Sequence, residues 1–181
     1  MTPCLSEPQR ELLSILRRCG AVRTRQAAAL LKRRFGVTDT AAASLISQLR
    51  RCGLLREESG LVRRPDARQS LPMLRAVDVL LAAVPAEAPE LLPRAEPFLL
   101  AGYFLRRGLL VQVLHVPAGE EQRASVLTDS LPAPGVPALL VLLLDNAGQC
   151  PALCVRRPFM AAWPDRNEKL CMHKYGGAEH E

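Results

Sequence analysis

Four side chains in the last third of the chain are of the types that hold zinc. Cys150-Pro-Ala-Leu-Cys154 and Cys171-Met-His173 supply three cysteines and a histidine, the number and kinds of ligand found in a closed structural site. Neither spacing is that of a standard knuckle, and Cys154 falls in a segment expected to be a strand, where a lone cysteine is usually a small core residue. No metal is therefore assigned, and Cys150, Cys154, Cys171 and His173 stand as the zinc alternative. His115 near a thiol would suit cysteine–histidine catalysis, but it lies in the apolar run Leu109–Val116 and reads as a satisfied sheet residue. There is no phosphate-binding glycine loop, no GxSxG and no HExxH. No catalytic residue and no cofactor are assigned, and the chain is read as not an enzyme.

Charge points to a different kind of function. The net charge of +6 is uneven: residues 1–70 carry 14 Lys/Arg against 6 Asp/Glu, and residues 71–181 carry 10 against 12. A basic first third on a near-neutral remainder suits a polyanion met by one domain. Only Lys32, Lys169 and Lys174 are lysines. Arginine's fork fits phosphate and guanine edges, although a GC-rich coding sequence produces the same bias. The seven aromatic residues form no stacking stripe of the kind a single-strand binder uses. The longest apolar run, 137–144, is too short to span a bilayer, and the N-terminus has neither the basic start nor the apolar stretch of a signal peptide. A cytoplasmic location with reduced cysteines is expected.

The elements that would position a polyanion site are legible in residues 6–65. Ser6, Pro8 and Gln9 have the spacing of a capping box, Leu12, Leu13 and Leu16 form an apolar face, and Gly20 stops the helix. Thr24 caps a second helix with Ala27, Leu30 and Leu31 inward. Thr38 or Asp39 caps a third, whose inner face is Ala42, Leu45, Ile46 and Leu49 and whose stop is Gly53. Leu54–Arg56 and Leu61–Arg63 then flank Glu57-Glu58-Ser59-Gly60, a hairpin loop. The segment Ser14–Gly20 recurs as Ser47–Gly53 and reads as one helix-stop signal used twice, since helical repeats need about three copies to bury a core.

Three helices and a hairpin in this order resemble the winged helix-turn-helix superfamily of DNA-binding domains, and Thr38–Arg64 resembles its recognition-helix-plus-wing segment. The resemblance covers roughly a third of the chain. It implies a double-stranded DNA partner and a third helix lying in the major groove. Thr38, Thr40, Ser44, Ser47, Gln48 and Arg51 would then face DNA, with Gln48 able to pair with adenine and Arg51 with guanine or phosphate. Arg63 and Arg64 would follow the wing onto the backbone. Two features favour a protein-docking role instead. Basic clusters at helix C-termini are stabilised by the macrodipole alone, by about 0.3–1 kcal/mol each, and Glu57-Glu58 at the hairpin oppose phosphate contact.

Beyond residue 68 a helix opens at Ser70, with Leu74, Val77, Leu81 and Val84 along one seam suited to the first domain or to a second subunit. Pro85, Pro89, Pro93 and Pro97 follow, an extended connector with at most a turn at Glu90–Leu92. Strands are expected over Phe98–Leu105, Leu109–Val116, Ala138–Leu144 and near Ala152–Arg156, with a helix from Glu120 whose inner face is Ala124, Leu127 and Leu131. Residues 161–181 read as a polar, poorly ordered tail. This order suggests a small mixed α/β sheet domain and resembles a restriction-endonuclease-like core. A winged helix followed by such a core resembles the replication-relaxation type proteins of mobile elements. That nuclease core would need an acidic residue two positions before a lysine, and Leu30, Asn167 and Met172 stand there instead, so the core is read as non-catalytic.

The expectation is thus an α+β chain with a winged-helix domain (1–68), a helix and connector (69–97), a small α/β domain (98–160) and a tail (161–181). Its expected function is duplex-DNA binding as a transcriptional regulator or mobile-element accessory factor. The C-terminal domain would serve for homodimerisation or protein contact. A winged-helix protein-docking module is the alternative, and a divergent nuclease the third reading.

Overall fold

The computed structural model describes residues 5–176, which divide into two compact units, up to Pro93 and from Arg94. The chain is α+β, with a helical first unit and a second unit built on a mixed sheet.

In the first unit the order is α1 (Glu7–Cys19), β1 (Ala21–Arg23), α2 (Thr24–Phe35), α3 (Asp39–Arg51), β2 (Arg56–Glu58), β3 (Leu61–Arg63) and α4 (Leu71–Ala83). The α1 capping box is formed: the Ser6 backbone N–H donates to Gln9 Oε1 at 2.9 Å. Leu12, Ile15 and Leu16 are buried, each burial favouring the fold by about 1.5–3 kcal/mol. The repeated segment ends both times in a glycine at positive φ, Gly20 at 74° and Gly53 at 71°. At α3, the Thr38 hydroxyl accepts from the Ala41 N–H at 3.2 Å, so Thr38 is the cap and Asp39 sits in the first turn, where the helix dipole favours an acid. At α2 the cap is Arg23, not Thr24, because the chain enters that helix directly from β1.

Strand β1 is an element the sequence did not announce. Three residues long, it pairs with β3 in an antiparallel sheet ordered β1-β3-β2, with Val22 opposite Val62 and both fully buried. The hairpin loop is shorter than expected. Ser59 (φ 51°) and Gly60 (φ 76°) alone make the turn, the two positive φ values of a type I′ connection. Glu57 and Glu58 therefore belong to β2, opposite Val62 and Leu61.

Helix α4 packs on α2 and β1, so it is part of the first unit and not of a connector. Its clasp is polar. Asp78 pairs with Arg23, and its other oxygen accepts from Gln26 Nε2 at 2.7 Å. Gln26, 1% exposed, also donates to the Leu74 carbonyl at 2.7 Å. Arg33 donates to the carbonyls of Leu81 and Val84, satisfying the open C-terminal end of α4, and burial lowers its pKa. Within the Pro-rich connector, Glu90–Leu91 is a two-residue strand, β4, where a turn was expected.

The second unit contains β5 (Leu100–Phe104), β6 (Leu109–Val116), α5 (Glu121–Ser130), β7 (Ala138–Leu144), a 3-10 helix (Ala147–Ala152), β8 (Phe159–Pro164) and β9 (Leu170–Tyr175), its strands side by side in chain order. β5–β6 and β8–β9 are antiparallel, and β6–β7 and β7–β8 are parallel, with Val113 opposite Val141 and Leu142 opposite Ala161. Leu114, Leu140, Leu142, Leu144, Phe159 and Ala161 form a core with Ala124 of α5, and Leu127 packs at its edge. Leu131 is the C-cap, not an inner-face residue, and Ser125 and Thr128 are buried in its stead. Two further expectations are corrected. No strand forms at 152–156, because Asn146 accepts from the Gly148 N–H at 2.9 Å and starts the 3-10 helix that contains Pro151. The expected tail is largely strand: β8 and β9 carry regular structure through Tyr175, while residues 177–181 lie outside the described residues.

Candidate nucleic-acid interface

Helix α3 buries Ala42, Ile46 and Leu49 and turns the opposite side to solvent. Thr40, Ser44, Ser47 and Arg51 recur at intervals of four, three and four along that side, one stripe of a 3.6-residue helix. Thr38, Thr40, Ser44, Gln48 and Arg51 are exposed and Ser47 is half-buried. Apart from Arg51 the stripe is short and polar, which permits close approach of another surface. Arg51 makes no hydrogen bond or ion pair with any described residue, and the same holds for Arg56 on β2.

The flanks of the stripe are tied down. Gln48 faces α1, where its Oε1 accepts from Gln9 Nε2 at 2.9 Å, and its own Nε2 lies 3.4 Å from Ser44 Oγ. On the other flank Arg50 pairs with Glu57 at 3.7 Å, which joins α3 to the hairpin. Gln9 escaped the sequence reading, which treated it as a cap only. A signal existed: with Leu12 and Leu16 it falls on the inner face of α1, so its amide had to meet a neighbouring element.

Arg63 and Arg64 are placed differently from the residues of α3. Arg63 donates to the Ala67 carbonyl at 3.2 Å and pairs with Glu58 at 3.4 Å. Arg64 holds Asp66 with two bonds, 3.1 and 2.6 Å, and keeps the Asp66 pKa low. It lines a surface hollow with Leu13, Arg17 and Gly53 at the base of the hairpin, away from the tip. Both arginines are engaged within the chain.

The zinc alternative does not assemble. Cys150 lies in the 3-10 helix and shares a groove with Tyr175, whose pKa it raises, whereas Cys171 and His173 stand opposite Trp163 and Ala161 in β9. Among the described residues no three side chains of metal-binding type come together. Cys19, Cys52, Cys150, Cys154 and Cys171 are free thiols, and burial pushes Cys19 up to about 12.

His115 and Asp145 meet at the C-terminal ends of the parallel strands β6 and β7, 3.1 Å apart, and Asp145 also accepts from the Ala118 N–H at 3.1 Å. Beside them Gln149, 4% exposed, donates to the Val116 carbonyl at 3.0 Å and to Glu121 at 2.8 Å. Its oxygen accepts from the Asp145 N–H at 2.7 Å and the Asn146 N–H at 3.1 Å. Glu121 is held below the usual carboxylate range by the Gly119 N–H, its own N–H and the Gln149 amide. These groups satisfy one another and anchor the start of α5 to the strand ends.

No protein-family model, curated protein or solved structure matches this chain. Among the described residues no helix is long and apolar enough to cross a membrane.

Proposed function

We propose that residues 6–65 are a winged helix that binds duplex DNA by laying α3 in the major groove. The observation that carries this reading is the exposed stripe Thr40-Ser44-Ser47-Arg51, small and polar except for one unpaired guanidinium, on a domain with a strong excess of basic residues. In this reading Arg51 contacts a guanine edge or a phosphate and Gln48 a neighbouring base. Arg56 supplies phosphate neutralisation from the hairpin. The chain acts as a transcriptional regulator or a mobile-element accessory factor. The second unit then serves for dimerisation or protein contact, to be sought first on the groove of about 710 Å³ lined by the exposed Val126 with Leu153, Phe159 and Tyr175.

Fluorescence anisotropy of the full chain on duplex DNA across a salt series tests this. Affinity should fall steeply with salt, with a slope near −0.9 per phosphate neutralised. Arg51→Ala should weaken binding about tenfold. Arg64→Ala should have the smaller effect, within about twofold, because the Asp66 carboxylate beside it offsets its charge toward a phosphate. The protein-docking reading is favoured by one observation, the internal pairing of Arg50, Arg63 and Arg64 with Glu57, Glu58 and Asp66. Absence of DNA binding at about 50 mM salt, where phosphate contacts are strong, would select it.

A further inference from the structure

We infer that Gln9 fixes the orientation of the Gln48 amide, and that Gln48 consequently reads a keto base, guanine or thymine, in preference to adenine or cytosine. The inference rests on the DNA-binding reading above and deepens it by naming the class of base.

The assignment starts from a group with only one option. The Ser6 backbone N–H can only donate, so the Gln9 atom 2.9 Å from it is the carbonyl oxygen. The other end of the Gln9 amide is then NH2, and the Gln48 atom 2.9 Å from that NH2 must be Oε1. This leaves the Gln48 NH2 turned away from α1, beside Ser44 Oγ at 3.4 Å on the exposed side of α3. No step depends on distinguishing oxygen from nitrogen within an amide. Gln9 is held in place because it is only 9% exposed. Turning its amide over would set NH2 against the Ser6 N–H and oxygen against oxygen at Gln48.

In the major groove guanine presents O6 and N7 as acceptors and thymine presents O4; adenine also presents an N7 acceptor, but beside it the N6 amino group donates, as does cytosine N4. Selecting adenine with a glutamine uses its carbonyl and amino groups together on N6 and N7, whereas a donor alone gains a second acceptor at guanine O6 and meets another donor at adenine N6. Here the carbonyl is turned toward α1, and what Gln48 offers is a donor. Gln9, on a helix that would not itself touch the base, is thus a positioning residue for specificity.

The test is selection of the full chain, wild type and variants, from a duplex library, followed by anisotropy on duplexes differing at one position. The position read by Gln48 is the one whose preference disappears in Gln48→Ala, an exposed substitution. There the wild type should favour G or T over A or C by about fivefold or more. Gln9→Glu supplies the stronger check. A glutamate at this place still accepts from the Ser6 N–H but cannot donate, so Gln48 must turn its NH2 inward and its oxygen outward. Preference should then move to A or C. A Gln48-dependent position that selects A or C in the wild type overturns the inference, as does an unchanged preference in folded Gln9→Glu. If the wild type binds DNA with no Gln48-dependent base, this inference fails alone. If it binds no duplex DNA, the underlying reading fails with it.

Discussion

Replacing Asp78 by alanine should destabilise the first unit by about 2 kcal/mol. Asp78 is 22% exposed and its two oxygens serve Arg23, also 22% exposed, and the buried amide of Gln26. Hydrogen bonds to a charged group are worth about 1.5–3 kcal/mol, and removing one partner of a buried pair costs about 3–5 kcal/mol. Two terms lower that value. The pair keeps some solvent, which screens it, and alanine is the better helix former by up to about 0.7 kcal/mol. Gln26 also retains its bond to the Leu74 carbonyl. In urea, with a denaturant slope of about 1–3 kcal/mol per M, the midpoint followed by circular dichroism at 222 nm should fall by about 1 M. Asp66→Ala is the comparison. Its contact with Arg64 is bidentate but 41% and 67% exposed, and solvent screening should leave the midpoint almost unmoved by its loss. Equal shifts for the two variants, or a shift under about 0.3 M for Asp78→Ala at unchanged slope, would refute the view that α4 is clasped through this carboxylate.

Three other outcomes follow from burial. Cys19 is pushed up to about 12 against an ordinary thiol value of 9.0, so the native state holds its proton while the unfolded chain releases it. The associated stability is intact below about pH 9 and is lost as pH rises from there toward 12. Cys19→Val should remove part of the alkaline fall in urea midpoint, and in native protein a thiol reagent at pH 8 should label Cys52 but not Cys19. In the second unit Gln149→Leu strands the Val116 carbonyl and the N–H groups of Asp145 and Asn146. It should cost about 2–4 kcal/mol, read as a lower midpoint in the fluorescence of Trp163, the only tryptophan.

Helices α1 to α3 were legible because each carries its own start, stop and apolar stripe within a short stretch of chain. β1 was not, since Ala21-Val22-Arg23 is too short to show alternation and exists only by pairing with Leu61–Arg63, about 40 residues on. The hairpin turn was placed too wide because Glu57 and Glu58 are polar, yet an edge strand with one solvent face accepts such residues. β8 and β9 were missed for related reasons: Pro158 and Pro164 bracket the first, and the second is an edge strand with exposed His173 and Lys174. At the candidate interface the sequence located the exposed residues of α3. It could not reveal that Gln48 is held by Gln9 or that Arg63 and Arg64 are internally paired, because those depend on contacts across elements or on side-chain geometry.

The parallel placement of β7 has a consequence for synthesis. Leu140 to Leu144 are all buried and no charge interrupts Ala138–Leu144. When this strand leaves the ribosome β6 is already available, but its other neighbour, β8, is complete only at Pro164, 20 residues later. Over that interval one edge of an uncharged, strongly apolar strand stands open to other nascent chains. Yield of folded protein should therefore depend on translation speed, temperature and chaperone supply more than equilibrium stability would indicate.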